Sequence, residues 1–392
     1  MTSKVAIVSA YSTRFGELWE AGVRELAEEV TNGVLTATDK TIEPKSIDAI
    51  YVGNMASGGF TGQEHISAVV ADAAGLHDVP NLRIEGACAS GGLGLRTAYM
   101  AVRGGIYETV MVVGIEKMTD QTQTGKVQET MSSSMDVEWE AQLGLTFAGA
   151  FAMMARSHFR EYGTTRRHLA AVSCKNHAHG ALNPRAHFQR KFDIDTILKF
   201  PFVAEPLSVM DTAPVSDGAA AIILTRKENA RKFTDAPVWI TGSGQGSDSL
   251  SLHGRESLTS LKATRMAGRE AMRQAGITPD QINLAEIHDS FTINEIMALE
   301  DLGFFIPGKA GPATLEGQTS INSKYSINTS GGLKAGGNPL GAVGIAQAVE
   351  VFIQLRNSAG NGRQVDNAEI ALTHNIGGSG ATCVVHTYSN SN

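Results

Sequence analysis

The stretch LRIEGACASGGLGLRTAYMAVRGGIYETVMVVGIE (residues 82–116) joins two short apolar runs through a longer segment of helical character. Its two ends, 82–86 and 109–116, have the length and the side chains of buried strands, and the part between them has the pattern of one helix. A strand, a helix and a second strand in this order form a βαβ unit. The stretch therefore predicts a layered α/β fold with a mainly parallel sheet.

The same alternation continues on both sides of this unit. Further strands are predicted at 4–10, 47–53, 219–225, 238–244, 283–291, 369–375 and 381–388, and further helices at 22–38, 63–75, 146–161, 166–179, 260–275, 292–302 and 341–357. Between 117 and about 200 the chain is rich in Thr, Gln, Ser, Met, His and Arg and has no convincing central strand. We expect this segment to cover a site.

A repeat is visible around the cysteine of the opening stretch. EGACASGGLG (85–94) has a counterpart in NTSGGLKAGGNPLGAVG (328–344), and each is followed by a helix and then a strand. Such internal similarity predicts two homologous halves. We therefore predict an N-terminal half from 1–116 plus 200–232, an insertion at 117–199 that covers the active site, and a C-terminal half at 233–392.

Composition excludes several classes of function. The 392 residues include 33 basic and 40 acidic side chains, a formal net charge of −7, with no basic stripe for nucleic acid or anionic lipid. The N-terminus lacks a signal-peptide core, and apolar runs such as AAAIILT (219–225) are far below the roughly 20 residues of a membrane span. The three cysteines lie far apart, which favours a reducing compartment. We expect a cytoplasmic protein with no nucleic-acid or membrane partner.

The motif GACASGG places Cys88 where a strand gives way to a helix, among residues with almost no side-chain bulk. A helix N-terminus favours a thiolate, and small neighbours let a substrate and backbone N–H groups approach the sulfur. The motif is also compatible with a small buried hydrophobe. On these residues alone, both interpretations of Cys88 stay open.

Five further motifs carry a resemblance to a known family. They are VGIEKM (113–118), APVSDGAAAIIL (213–224), HDSF (288–291), GGLKAGGNPLGA (331–342) and HNIGGSG (374–380). In this order they resemble the motifs of thiolases, and most closely those of the archaeal and sterol-carrier-protein-type branches. The resemblance implies an α/β thiolase fold, with two similar βαβαβαββ halves in a five-layered α-β-α-β-α core and a loop insertion.

The resemblance also implies a reaction. A thiolase carries an acyl group on its cysteine and passes it to CoA or to the carbanion of acetyl-CoA, so acyl-CoA and CoA are the partners and no bound cofactor is needed. The leading hypothesis is an acetyl-CoA C-acetyltransferase that works as a homodimer or homotetramer. The alternatives are a C-acyltransferase that uses another acceptor or works in a complex with hydroxymethylglutaryl-CoA synthase, and a non-catalytic acyl-CoA-binding protein.

The turn GNP departs from the family. Thiolases usually have GHP here, whose His activates the cysteine, whereas Asn338 donates a hydrogen bond but takes no proton. One explanation is a Cys–His–Asn site, resembling a related ketoacyl synthase, in which His288 takes the proton of Cys88 and Asn338 lines an oxyanion hole. The other is that the chemistry is lost and an acyl-CoA binder remains.

The last motif falls where thiolases carry a second cysteine, the usual proton carrier at the α-carbon. The resemblance implies His374 as the acid/base residue, but a shift of one residue brings Asn375 to this position instead. The N–H groups of Gly377 and Gly378, together with the N–H of Cys88, are expected to bind the acyl oxygen.

The remaining candidates carry weaker signals. The resemblance suggests that His253 and Thr264 contact CoA. Cys383 is expected in the core, and Cys174 has no recognisable role. Three nearby histidines suggest a metal, but their segment resembles a structural part of the family, so we favour pocket-shaping roles over a metal site; they are His177, His179 and His187.

Overall fold

A computed structural model describes residues 4–360 and 362–391. The N-terminal part consists of β1 (Val5–Ser12), α1 (Val23–Thr36), β2 (Ala49–Gly53), α2 (Ser57–Thr61), α3 (Ile66–Ala73), β3 (Asn81–Ile84), α4 (Ser90–Gly104) and β4 (Thr109–Glu116). It is followed by α5 (Thr124–Ser132), α6 (Phe147–Tyr162), α7 (Arg166–Gly180), α8 (Ile194–Ile197), β5 (Phe202–Ala204), β6 (Leu207–Ser208), β7 (Gly218–Arg226) and α9 (Lys227–Phe233).

The C-terminal part consists of β8 (Val238–Ser247), α10 (Lys262–Ala275), β9 (Leu284–Ile287), α11 (Thr292–Asp301), α12 (Ala310–Leu315), β10 (Ser326–Ile327), α13 (Gly332–Gly336), α14 (Val343–Leu355), β11 (Ile370–Gly377) and β12 (Thr382–Ser389). None of the helices in the described ranges has the length and apolar character needed to cross a membrane.

One ten-stranded sheet has the order β10-β9-β11-β12-β8-β1-β7-β4-β2-β3. From the central antiparallel pair β1–β8, the order outward is β1-β7-β4-β2-β3 on one side and β8-β12-β11-β9-β10 on the other. The strands pair off by their place in the two orders: β1 corresponds to β8, β7 to β12, β4 to β11, β2 to β9 and β3 to β10. The sheet therefore has the two similar halves that the sequence predicts.

The expectation of a mainly parallel sheet is only partly met. In each half, three strands are parallel, and the other two run antiparallel to their neighbours. The turn at 378–381 joins β11 directly to β12. Neighbouring strands joined by such a short turn must be antiparallel, because a parallel pair needs a long crossover.

Helices α4 and α14 lie between the two halves of the sheet and pack against each other. Their apolar side chains share one core with strands of both halves; examples are Leu95, Ala98, Val110, Ile222, Leu284, Ile345, Ala348 and Ala371. Helices α1 and α3 cover the other face of the first half, and α10 and α11 cover that of the second. The layers are α-β-α-β-α, as the sequence predicts.

The segment between β4 and β7 packs mainly on the second half. Helix α7 lies against α12 and α13, and apolar residues of α6 and α7 join the outer core of the second half; examples are Phe151, Met154, Leu169 and Val172. The exact limits of the insertion and of the two halves stay predictions.

Glycines allow the first turns of α4 and α14 to touch. A Cβ atom on Gly91 would lie 2.7 Å from the carbonyl oxygen of Gly341, and one on Gly344 would lie 2.3 Å from the nitrogen of Gly92. No side chain fits into this backbone contact. The loops that precede the two helices, one with Cys88 and one with Asn338, are consequently held side by side.

We predict that Gly91→Ala lowers the free energy of unfolding by about 1–3 kcal/mol, because the new methyl group overlaps backbone atoms that are anchored in both halves. Chemical denaturation monitored by circular dichroism measures this change. The matched control is Gly104→Ala in the same helix, where a Cβ meets nothing within 4 Å. The control should leave the stability unchanged or raise it by up to about 1 kcal/mol; equal losses in both variants would contradict the interpretation.

Candidate active site

Cys88 lies in the short turn Ala87–Ala89 that leads into α4. The turn is held in an unusual backbone conformation, since the φ of Ala87 is 54°. The Cys88 thiol is half-buried, and the backbone N–H groups of Gly378 and of Cys88 itself lie near enough to the sulfur to act toward a lower pKa of the thiol. These two N–H groups come from opposite halves of the chain, and their role as donors to an acyl oxygen stays a prediction.

The ionisation of this thiol is unfavourable. Burial first, and the negative charge of Glu116 second, raise the pKa of Cys88 to about 12, although the two N–H donors act in the opposite direction. The described residues provide no histidine hydrogen-bonded to the sulfur. Cys88 is therefore mostly a thiol at neutral pH.

A cavity of about 50 Å³ lies beside Cys88 and Asn338. Most of its wall is apolar, and the rings of Phe151 and Phe291 stack there with centroids 4.5 Å apart. The polar side chains in its wall are those of Asn338, Ser290 and Ser134. A space this small and apolar suits a short acyl group.

Asn338 lies two residues after the end of α13, and Gly337 separates it from the helix. Its backbone N–H donates to Ser216 Oγ at 3.1 Å, and its Oδ1 is buried without a partner among the described residues. Helix α13 is anchored by Asp289, which accepts the N–H groups of Leu333 at 2.6 Å and Lys334 at 3.2 Å. The HDSF and GNP motifs are thus joined in one structural unit.

Asn375 connects the candidate residues of both halves. Its Oδ1 accepts the Gly92 N–H at 3.2 Å, and its Nδ2 donates to the Cys88 carbonyl at 3.1 Å. The same Nδ2 lies 3.1 Å from Nδ1 of His288. The two backbone partners fix the orientation of the amide, because exchanging its oxygen and nitrogen would break both bonds.

This orientation determines the tautomer of His288. Since the amide nitrogen of Asn375 only donates, Nδ1 of His288 accepts, and the single hydrogen of the neutral ring is on Nε2. Burial, and less strongly the nearby His374, lower the pKa of His288 to about 3. The ring is thus arranged as a hydrogen-bond donor, and the transfer of the Cys88 proton to His288 stays a prediction.

The structure does not bring His374 to Cys88. Adjacent residues of a strand face opposite sides, so Asn375 faces Cys88 and His374 faces α10. Both ring nitrogens of His374 have hydrogen-bond partners. Its Nε2 lies 2.9 Å from Thr264 Oγ1, and its Nδ1 accepts the backbone N–H of His288 at 3.3 Å. His374 is also fully buried, so of the two candidates for this place Asn375 is the one next to Cys88, and the acid/base role of His374 stays a prediction.

The other predicted residues are placed as follows. Gly377 packs against the Gly86 carbonyl, which a Cβ on Gly377 would approach to 2.3 Å, and Gly378 lies beside Cys88 in the cavity wall. The roles of both N–H groups as donors stay predictions. Thr264 is fully buried and bonded to His374, and its contact with CoA stays a prediction. His253 is exposed on the loop beyond β8, and its ring centroid lies 6.0 Å from that of Trp139.

The three clustered histidines have structural surroundings. His179 Nδ1 lies 3.0 Å from the Asn328 carbonyl, His187 Nδ1 lies 2.9 Å from Ser216 Oγ, and His177 packs against the rings of Phe188 and Phe192. Within residues 4–360 and 362–391, no group of three or more His, Cys, Asp or Glu side chains is arranged to hold a metal ion.

Glu116, which the sequence analysis did not single out, bridges the two halves. Its buried carboxylate accepts N–H groups from Met55 at 2.8 Å, Ala56 at 3.1 Å and Gly341 at 2.9 Å. Burial raises its pKa to about 7 despite these donors. The sequence does contain a signal for this role, which is the single carboxylate at the end of the apolar run TVMVVGIE. A charged group at a buried strand end requires specific partners.

Comparisons with known proteins agree with this architecture. Residues 5–228 match the family model "Thiolase, N-terminal domain", and residues 244–390 match "Thiolase C-terminal domain-like". The chain is 49% identical to an acetyl-CoA acetyltransferase of Methanothermobacter thermautotrophicus, over 98% of this chain and 99% of the relative. It is 42% identical to an acetyl-CoA acetyltransferase of Methanocaldococcus jannaschii, over 98% of both chains.

Solved structures have the same fold. The Ltp2-ChsH2(DUF35) aldolase superposes with a TM-score of 0.85 at 24% identity, covering 100% of this chain and 99% of the other. Human mitochondrial 3-ketoacyl-CoA thiolase in complex with CoA superposes with a TM-score of 0.76 at 18% identity, covering 100% and 98%.

We predict that alkylation of Cys88 by iodoacetamide is slow at pH 7 and rises about tenfold per pH unit up to pH 10. The reason is that the reactive thiolate grows in this proportion below a raised pKa. Peptide mass spectrometry of the Cys88 peptide measures the rate, and the urea-unfolded chain is the control, where the rate should level off near the ordinary thiol pKa of about 8.5. A plateau below pH 8 in the folded protein would contradict the assignment.

Proposed function

The chain belongs to the thiolase family, and from this premise we propose that it is an acetyl-CoA C-acetyltransferase that carries the acetyl group on Cys88. The observation that carries this proposal is that Cys88, Gly378 and Asn338 line one small, mostly apolar cavity, with the N–H groups of Cys88 and Gly378 near the sulfur. This is the arrangement that an acyl-thioester intermediate requires.

In the first half-reaction, the Cys88 sulfur attacks the thioester carbonyl of acetyl-CoA. The carbonyl oxygen becomes an oxyanion, and the N–H groups of Cys88 and Gly378 are the proposed donors to it. The C–S bond to CoA then breaks, and the departing CoA sulfur receives the proton that Cys88 gives up. CoA reverses this step, or a carbon nucleophile takes the acetyl group in the second half-reaction.

Asn338 and His288 are the proposed donors for the second thioester. The Nδ2 of Asn338 and the Nε2–H of His288 are able to bind the oxygen of an enolate, where negative charge develops. Asn375 positions His288 for this role through the bond to Nδ1. CoA enters as substrate and product, and the exposed His253 is a proposed contact for it.

We further propose that the protein works as a homodimer or homotetramer in the cytoplasm. In the described sheet, β3 pairs only with β2, and Leu82 on this edge strand is 51% exposed, so the edge is available to a second copy. The three cysteines are free, which fits a reducing compartment. A complex with hydroxymethylglutaryl-CoA synthase is an alternative setting for the same acyl transfer.

One observation favours a second candidate, an acyl-CoA-binding protein without turnover. The pKa of Cys88 is raised, and within residues 4–360 and 362–391 no histidine is hydrogen-bonded to its sulfur, so the nucleophile is weakly activated. This candidate differs from the first in a single measurable event, which is the acylation of Cys88.

Intact-protein mass spectrometry tests the two candidates. Acetyl-CoA is expected to add one acetyl group to the wild-type protein, and excess CoA is expected to remove it. Cys88→Ala should abolish the adduct, whereas the matched control Cys174→Ala should retain it, since the Cys174 thiol only donates to the Phe192 carbonyl at 3.0 Å. An adduct that survives Cys88→Ala, or CoA-ester binding without any adduct, would refute the acetyltransferase proposal.

A further inference from the structure

A second cavity, of about 250 Å³, is lined by a different set of residues from the cavity beside Cys88. One face of α14, helix α13 with the following Gly337, and the loop at 183–185 form its wall, and we call it the α14 cavity. Pro184 and Ser358 in this wall are exposed, so the cavity opens to solvent. It is large enough for a small organic molecule, and the proposed acyl transfer does not use it.

The carboxylates in the wall of the α14 cavity already have partners. The charged side chains that line the cavity are Arg185, Glu286, Glu350 and Arg363. Glu286 accepts the backbone N–H of Ser330 at 3.1 Å and also the Ser330 hydroxyl. Glu350 accepts Gln354 Nε2 at 2.9 Å and is paired with Arg363 Nη2. The carboxylates therefore leave little need for a cation in the cavity.

The hydroxyl of Thr329 indicates that the two carboxyl groups share a proton. Its Oγ1 lies 3.1 Å from Oε1 of Glu286 and 2.9 Å from Oε1 of Glu350. A hydroxyl has one hydrogen, so it donates to one of these oxygens and has to accept from the other. Burial first, and the charge of Glu350 second, raise the pKa of Glu286 to about 8, whereas Glu350 is paired with Arg363. At neutral pH the proton is therefore on Glu286, and the pair has a single negative charge.

The two guanidinium groups, by contrast, have donors without partners. The Nε of Arg363 is buried and has no hydrogen-bond partner among the described residues. Arg185 lies with its Cζ 5.1 Å from the centroid of the Tyr11 ring and forms no ion pair with any residue that the structure describes. Two guanidinium charges against one carboxylate charge leave the wall with one net positive charge. An unpaired buried donor costs free energy, and an anion that accepts from it removes this cost.

We propose that the α14 cavity is a binding site for an aliphatic monocarboxylate. A carboxylate matches the planar guanidinium group and compensates the single positive charge. Its hydrocarbon part has an apolar wall to pack against, formed by Phe15, Leu333, Val343, Val349 and Ile353. This inference goes beyond the proposed acyl transfer and does not depend on Cys88.

Isothermal titration calorimetry of the full-length protein tests the proposal at pH 7. The probes are 4-methylpentanoate, its uncharged amide 4-methylpentanamide, and inorganic phosphate, which has charge but no apolar part. The carboxylate should bind at one site per chain, and the amide at least about tenfold more weakly, because charge-assisted hydrogen bonds are about twice as strong as neutral ones. No saturable carboxylate binding up to about 10 mM, equal binding of the amide, or tighter binding of phosphate would overturn the proposal.

Variants make the binding specific to this wall. Arg185→Met removes one guanidinium group, and Ala346→Leu fills part of the cavity from α14. Each should weaken 4-methylpentanoate binding at least about tenfold. The matched control is Arg269→Met, which removes the same charge from an exposed position of α10 and should change the affinity less than about twofold, since salt screens distant charges. Equal effects of Arg185→Met and Arg269→Met, with circular dichroism showing folded proteins, would contradict the site.

Hydrogen exchange locates the probe independently of any substitution. Bound 4-methylpentanoate should slow amide exchange in α13 and α14, which form the cavity wall, because contacts with a ligand oppose local opening. The segment 131–135, which lies beside the cavity of Cys88, should exchange at an unchanged rate. Protection of 131–135 without protection of α13 and α14 would place the probe in the acyl cavity and overturn the proposal.

The shared proton gives the binding a pH dependence. Glu286 is protonated below its pKa of about 8, so raising the pH through this value adds a negative charge to the wall and should weaken carboxylate binding. Glu286→Gln is uncharged at every pH and should retain, above this pKa, the affinity that the wild type loses. Equal losses in both proteins would refute the charge assignment on which the proposal rests.

Discussion

The backbone contact between the first turns of α4 and α14 is the constraint on which the rest of the site depends. Gly91 and Gly92 meet Gly341 and Gly344 at distances that leave no room for a Cβ atom. The two helices are the middle layer of the fold and come from different halves of the chain. Because their N-termini touch, the loop with Cys88 and the loop with Asn338 form one cavity rather than two separate turns.

Buried carboxylates hold the loops around this contact. Glu116 accepts N–H groups from the loop after β2 and from Gly341, and Asp289 accepts those at the start of α13. Asp217 accepts Lys117 Nζ at 2.7 Å and the Met118 N–H at 2.7 Å, which fixes the loop that leaves β4. All three carboxylates accept hydrogen bonds from backbone N–H groups, and Asp217 also accepts one from a lysine. They shape the cavity without lining it, and most of the described residues in its wall are apolar.

Asn375 links this framework to the chemistry. One amide bonds to both the Cys88 loop and His288, and it sets which nitrogen of His288 carries hydrogen. A cysteine at this place would carry protons, whereas the amide orients its neighbours. In the proposed reaction, Asn375 and Asn338 would contribute hydrogen bonds rather than proton transfer. The chain has the family fold, but asparagines stand where thiolases usually have the His of the GHP turn and the second cysteine.

The sequence by itself determined the elements and their repetition. Strand β4 has the predicted limits 109–116, and α11 ends within one residue of its prediction, because the periodicity of apolar side chains is a local property. It also placed Cys88 at the start of a helix. Only the tertiary structure decided which sides of the strand His374 and Asn375 face. It also decided the tautomer of His288 and the burial of Thr264. They depend on contacts between residues as far apart as Cys88 and Asn375, and a shift of one residue along a strand reverses which side chain faces the site.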